Sequence, residues 1–263
     1  MADDGYWRWN TNITWHYFCS VGSSAAMAHE ATNEFIRYHH IRTLLYFSVC
    51  AMESALNAAM RKHMKGEMED AILERLRRPR FHEKVSEWPS EIADREISFE
   101  SDFWAFLEQY KQIRDEITHP KRRDHSVYRD LDQTDPTTIE KAIARALVSL
   151  CVAQESSWPY WLLSWNYVGM NADPTFPMES NNLNGFYYSL PALGIQWTGM
   201  GQMSFEREVM SSLQSFDELD ALMRRLTVDI EPFSARFPHK PRLTRRWWDT
   251  SFLQDDFAKS KEN

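Results

Sequence analysis

Phe99-Glu100-Ser101-Asp102-Phe103-Trp104-Ala105-Phe106-Leu107-Glu108-Gln109-Tyr110-Lys111-Gln112-Ile113-Arg114-Asp115-Glu116-Ile117-Thr118-His119-Pro120 is the stretch that decides how this chain folds. Phe99, Phe103, Phe106, Tyr110, Ile113 and Ile117 recur in steps of four and three, which predicts an amphipathic helix with one buried face. At about 100° per residue, Asp115 and His119 fall roughly 40° apart on the polar side, while Arg114 sits at the edge of the apolar stripe. Pro120 biases His119 out of the helical region, so the histidine closes the helix. There the negative end of the macrodipole favours the imidazolium and tunes His119 near neutrality. An arginine and a histidine at the end of such a helix form a candidate site for chemistry on a phosphodiester.

Short arginine and histidine pairings arise by chance, and the chain holds a decoy. Arg77 and His82 have the same spacing, but Pro79 lies between them and forbids a continuous helical surface. The plain structural alternative for the Arg114 segment is a surface pair, with Asp115 and His119 four residues apart and His119 serving as a C-terminal cap.

Two segments together resemble the HEPN superfamily of all-helical nucleotide-binding domains. Its active members carry Arg, a polar residue, a few more residues and then His, and those positions here are Arg114, Asp115 and His119. Ile117 and Pro120 resemble the family's apolar and helix-ending positions. The earlier run from Leu44 to Asn57 resembles the family's long apolar helix with a Glu and an Asn one turn apart. Those are Glu53 and Asn57, which share a helical face and are placed to brace the motif helix by hydrogen bonds. This likeness spans roughly residues 24 to 157. It implies an antiparallel helical bundle and a metal-independent endoribonuclease, needing no cofactor, in which the ribose 2′-hydroxyl attacks the adjacent phosphorus. His119 would serve as general base or acid, Arg114 would stabilise charge on the phosphoryl oxygens, and Asp115 would orient the imidazole. On an ideal helix Arg114 and His119 lie about 140° apart. Active members pair two motif helices across a twofold axis, so the likeness also implies a homodimer with a composite cleft. The biological settings it implies are a toxin or a phage-defence effector, with an antitoxin or regulatory partner. Lys121 stands where a tyrosine modified by a nucleotidyltransferase antitoxin would be expected. The alternative within the family is a non-catalytic module that binds RNA, a nucleotide or a protein.

The net charge is −8, from 30 Lys and Arg against 38 Asp and Glu, which argues against coating nucleic acid by bulk electrostatics. Locally the sign reverses. Lys111, Lys121, Arg122 and Arg123 surround the motif, with Arg129 beyond, and are candidates for holding an RNA phosphate chain. Cys19, Cys50 and Cys151 lack metal-ligand spacing and an even count, so neither a zinc site nor a disulfide framework is expected. Cys50 and Cys151 lie in apolar helical runs and read as packed thiols. His39 and His40 are adjacent, diverge on a helix, and make poor joint metal ligands. Without a signal-like leader or an apolar run of membrane-spanning length, a cytoplasmic protein with no membrane partner is expected. In that setting the Asn12-Ile13-Thr14 sequon carries no meaning. Gly-Xaa-Ser-Xaa-Gly and Gly-rich phosphate loops do not occur as recognisable signals.

Along the chain, Tyr6, Trp7, Trp9, Trp15, Tyr17 and Phe18 mark an aromatic N-terminal segment, residues 1–23, read as irregular or strand-like. Ser24 or a neighbour is expected to cap a helical region that runs, with a break, to about Met64, with Gly66 ending it. Met68 to Arg78 reads as a shorter helix, and Trp88-Pro89-Ser90 as loop. Thr137 and Thr138 precede a helix from Ile139 to about Glu155 that should pack antiparallel to the motif helix. These elements make up the helical domain, 24–157. Residues 158–263 form an aromatic-rich, partly irregular or β-containing extension, with one amphipathic helix from about Ser204 to Leu226. Its basic tail ends in Trp247 and Trp248, which fit core packing or stacking on single-stranded nucleic acid.

Overall fold

The structure, a computed structural model, describes residues 12–118, 126–163 and 202–230. Helices take up 81% of what is described, and no strand occurs among those residues, so the mainly α expectation holds. The elements are α1 (Ile13–Glu30), α2 (Glu34–His63), α3 (Glu69–Arg77), α4 (Phe81–Ala93), α5 (Ser101–Thr118), α6 (Ser126–Gln133), α7 (Pro136–Ala153), a 3-10 turn (Tyr160–Leu163), α8 (Gln202–Glu208) and α9 (Leu213–Ile230). No helix among the described residues is long and apolar enough to cross a membrane.

The strand-like reading of the N-terminus is corrected where the structure describes it, because Trp15, Tyr17 and Phe18 lie in α1. Phe18, Val21, Ala25 and Ala28 follow helical steps into the core and override the alternation of the larger rings. Ser24 sits inside this helix and caps nothing. Asn12 starts α1, its Oδ1 accepting from the Trp15 amide at 3.0 Å. The expected break falls at 31–33. Asn33 caps α2 by accepting from the amides of Phe35 (2.8 Å) and Ile36 (3.4 Å). Gly66 follows α2 with φ +115, a conformation that disfavours any side chain.

α7 is the central element and touches α1, α2, α4, α5 and α9. It buries Ile139, Ala142, Ile143, Ala146, Leu147 and Leu150, and the small residues let its neighbours approach closely. As expected, it runs antiparallel to α5. Gln109 Nε2 donates to Thr134 Oγ1 at 2.7 Å just before α7, and Arg145, midway along α7, meets Asp102 at the start of α5 at 3.0 Å. Arg37 ties the other end together, donating to the carbonyls of Ala28 (3.3 Å), Asp132 (3.3 Å) and Thr134 (2.7 Å).

Two further expectations are corrected. Trp88, Pro89 and Ser90 form no loop; they lie inside α4, with Trp88 and Pro89 buried. Pro89 removes one helical donor, yet burial of Trp88 and Val85 in the core holds the helix through that point. Connection to α5 comes after Asp94, where Ser90 Oγ accepts from the Ile97 amide (2.9 Å) and donates to its carbonyl (3.1 Å). The helix expected from Ser204 to Leu226 is two, α8 and α9, divided where Ser212 Oγ accepts from the Ser215 amide at 3.1 Å.

The described part of the C-terminal extension shares the core of the helices before it. Trp158 donates its amide to Met210 (2.9 Å) and its indole to Ser212 (3.1 Å), and meets Phe216 edge-on at 5.3 Å. Arg145 joins α5 to α9 by pairing with both Asp102 and Asp217. The aromatic runs at 186–188 and 195–197 and the basic tail with Trp247 and Trp248 lie outside the described residues.

Candidate functional site

The motif helix α5 is positioned by its apolar face: Phe99, Phe103, Phe106 and Ile113 are buried in the core cluster, and Tyr110 packs against its rim. One turn beyond Tyr110 stands Arg114, exposed, its guanidinium carbon 5.7 Å from the centre of the Tyr110 ring. That distance is in cation–π range and holds the side chain at the edge of the apolar stripe, where the periodicity places it. Lys111 is exposed on the same end of α5. Asp115 belongs to α5, but its side chain lies outside the described part, as do His119, Lys121, Arg122 and Arg123.

Beside this helix, α2 presents a polar stripe. Tyr46, Cys50, Glu53 and Asn57 recur in steps of four and three and so share one face. Glu53 and Asn57 do form a pair, but the hydrogen bonds described for them go to α4 and not to the motif helix. Lys84 Nζ donates to Glu53 Oε1 at 2.7 Å and to Asn57 Oδ1 at 3.0 Å, and sits 5.2 Å from the Trp88 ring centre. Lys84 is 3% exposed, so this ammonium is held almost wholly away from water. On the other side of the stripe, Tyr17 of α1 packs against Phe47.

Tyr46 is raised above the ordinary tyrosine value, first by its hydrogen bond to Cys50 and the charge there, then by burial, with Tyr17 and Tyr110 adding to it. Tyr110 of α5 is thus near enough to Tyr46 for their charges to interact. Burial pushes the Cys50 thiol up, and the neighbouring Glu53 charge adds to it; the Tyr46 hydroxyl opposes but does not cancel them.

Sequence reasoning did not find Lys84. Its signal was present in the steps Phe81, Lys84, Val85, Trp88, Ile92, which put a lysine on an apolar face, but Pro89 hid the helix that carries it.

A separate cleft of about 260 Å³ opens on the opposite side of α2, floored by Ala55, Ala58 and Ala59 and walled by Leu147, Leu150 and Trp161. It is slightly smaller than the roughly 300 Å³ at which ligand sites begin. Lys62 and Cys151 border it; burial drives the Cys151 thiol up to about 11 against the opposing charge of Lys62. Among the described residues no group of three His, Cys, Asp or Glu is placed to hold a metal ion, and the rings of His39 and His40 meet edge-on at 5.2 Å.

No family model matches the chain, and neither curated proteins nor solved structures give a significant match. The described residues thus form a mainly helical protein with an exposed arginine near the end of α5 and a polar stripe on α2, the longest helix among them.

Proposed function

We propose that this chain is a metal-independent endoribonuclease of the HEPN type, built on that superfamily's antiparallel helical bundle, with Arg114, Asp115 and His119 as its site. The observation that carries the reading is the placing of Arg114. It is exposed near the end of a helix whose other face is buried in the core, a position from which a guanidinium can meet a phosphate. In the reaction the ribose 2′-oxygen attacks the adjacent phosphorus as its proton leaves to a base, and the 5′-oxygen departs with a proton. The products are a 2′,3′-cyclic phosphate and a 5′-hydroxyl. His119 moves one of those protons, Asp115 orients its imidazole, and Arg114 offsets charge on the non-bridging oxygens. Lys111, Lys121, Arg122 and Arg123 hold flanking phosphates, and two chains pair so that both motif helices line one cleft. A toxin or a phage-defence effector, silenced by an antitoxin or another partner, is the setting that this chemistry fits.

The test is cleavage of a mixed pool of single-stranded and structured RNA by the purified protein in excess EDTA, beside His119→Ala. Fragments ending in 2′,3′-cyclic phosphates, lost in the variant, support the enzyme and its site. RNA binding without cleavage by either protein assigns the chain to the superfamily's non-catalytic binding modules.

A further inference from the structure

The stripe on α2 does not stop at Tyr46. Going back along the helix, the steps of four and three continue through Arg42, His39 and Phe35, so one face runs from the first turn of α2 to Asn57. Its N-terminal half stands open: Phe35 is 65% and Tyr46 60% exposed, and His39 and Arg42 between them are exposed as well. The two rings lie eleven residues apart, about 16 Å along the axis. That span is close to five rises of a stacked strand at about 3.4 Å each.

In its N-terminal half this face carries one exposed cation, Arg42, and its acid, Glu53, comes only one turn before Asn57. Residues 35 to 52 contain no Asp or Glu, in a chain whose acids outnumber its Lys and Arg by 38 to 30. Arg37 is turned inward onto three carbonyls and takes no part in the face. Among the described residues Arg42 donates inward through Nε alone, to the Tyr38 carbonyl at 3.2 Å. That bond steadies the side chain and leaves its two terminal amino groups for an acceptor from outside. At the Tyr46 end, α5 brings up Tyr110 with Arg114 over its ring.

Two exposed rings that flank an arginine, on a stretch of helix without acids, match a ligand with flat apolar groups on an anionic backbone. Every unpaired base has a π-face to stack on a ring, whereas bases inside a duplex are closed to stacking. We propose that Phe35, His39, Arg42 and Tyr46 form a track for unpaired RNA, with bases stacked on the two rings and phosphates on Arg42, leading the strand to Arg114. The track rests on the ribonuclease reading for its direction, since Arg114 is where the scissile phosphate would arrive. It also states a substrate class, single-stranded RNA or loops in preference to duplex.

The probe is a short fluorescent single-stranded RNA with 2′-O-methyl sugars, which cannot be cleaved, alongside a blunt duplex of the same sequence. Phe35→Ala and Tyr46→Ala should each weaken binding to the single strand about ten-fold, with melting temperature unchanged because both side chains are already exposed. Tyr46→Phe, which keeps the ring, should bind like the parent chain. Arg42→Ala should lower the slope of log affinity against log salt by about one. Single-strand binding that all four variants leave intact overturns the track; if RNA is still cleaved, the catalytic reading stands without it. Loss of binding in the ring variants without any cleavage by the parent chain supports the track and removes the nuclease. Ring variants that become monomeric yet keep their RNA affinity overturn it in favour of a second copy of the chain on this face. Absence of RNA binding by the parent chain overturns both proposals.

Discussion

Lys84 ties α4 to α2 through its bonds to Glu53 and Asn57. Its ammonium is almost wholly buried, yet Glu53, which neutralises it, keeps 41% of its side chain in water. The two halves of this pair are therefore unequal. Glu53→Ala leaves a buried ammonium with one amide oxygen and a ring face, and should cost roughly 3 kcal/mol. Lys84→Met leaves a carboxylate that can turn to solvent, and should cost roughly 1 kcal/mol. Urea denaturation with unchanged m-values checks the order, and equal losses would contradict this account of the pair. Arg114 was legible because its position depends only on the period of its own helix. Lys84 was not, because a lysine is buried only where a carboxylate from a distant element meets it, and Glu53 lies 31 residues away.

Helix ends were legible where a glycine marks them, as Gly66 does after α2. The caps at Asn33 of α2 and at Asp135 of α7, which accepts from the amides of Thr137 and Thr138 (both 3.2 Å), were not read, because Ser24 and the Thr137-Thr138 pair stood as the start signals instead. Elements were illegible where packing decides. Pro89 reads as a stop but lies in α4, and Trp15 and Tyr17 read as strand but lie in α1, because in both cases helical steps of core residues outweigh local preference. α7 offers the sharpest test of an element, since five helices lean on it and its cap is titratable. Burial alone would raise the Asp135 carboxyl, but hydrogen bonds from the Thr138 hydroxyl and the two amides, with the His29 charge nearby, outweigh burial and bring it below the ordinary value. A carboxyl lowered by folding contributes fully above its unfolded pKa of about 3.9 and loses that contribution as pH falls through the folded value. Asp135→Ala should thus cost about 1 kcal/mol at neutral pH. The gap to the parent chain should narrow below about pH 4, and a gap that is constant with pH would show that the carboxylate charge does not matter.

At the scale of the molecule, the proposed ribonuclease reading calls for a second chain. Arg114 leaves α5 at the edge of the apolar face, and on an ideal helix a position five residues further on points about 140° away, so in the proposed site one helix alone would not bring Arg114 and His119 together. In the proposed dimer, two motif helices related by a twofold axis would remove the difficulty, because the arginine of one chain would face the histidine of the other. This arrangement has a consequence that a self-contained site does not share. Arg114→Ala and His119→Ala should each be inactive alone. After mixing and subunit exchange, half the dimers are hybrids, and each hybrid holds one cleft with both groups intact and one with neither. Activity should then return to roughly a quarter of the parent value. Cleavage of the same RNA by the two variants, separately and after exchange, measures it directly. Two inactive variants that stay inactive together, although exchange is verified by mass, would place both groups in one chain and require His119 to swing back toward Arg114 beyond the helix end.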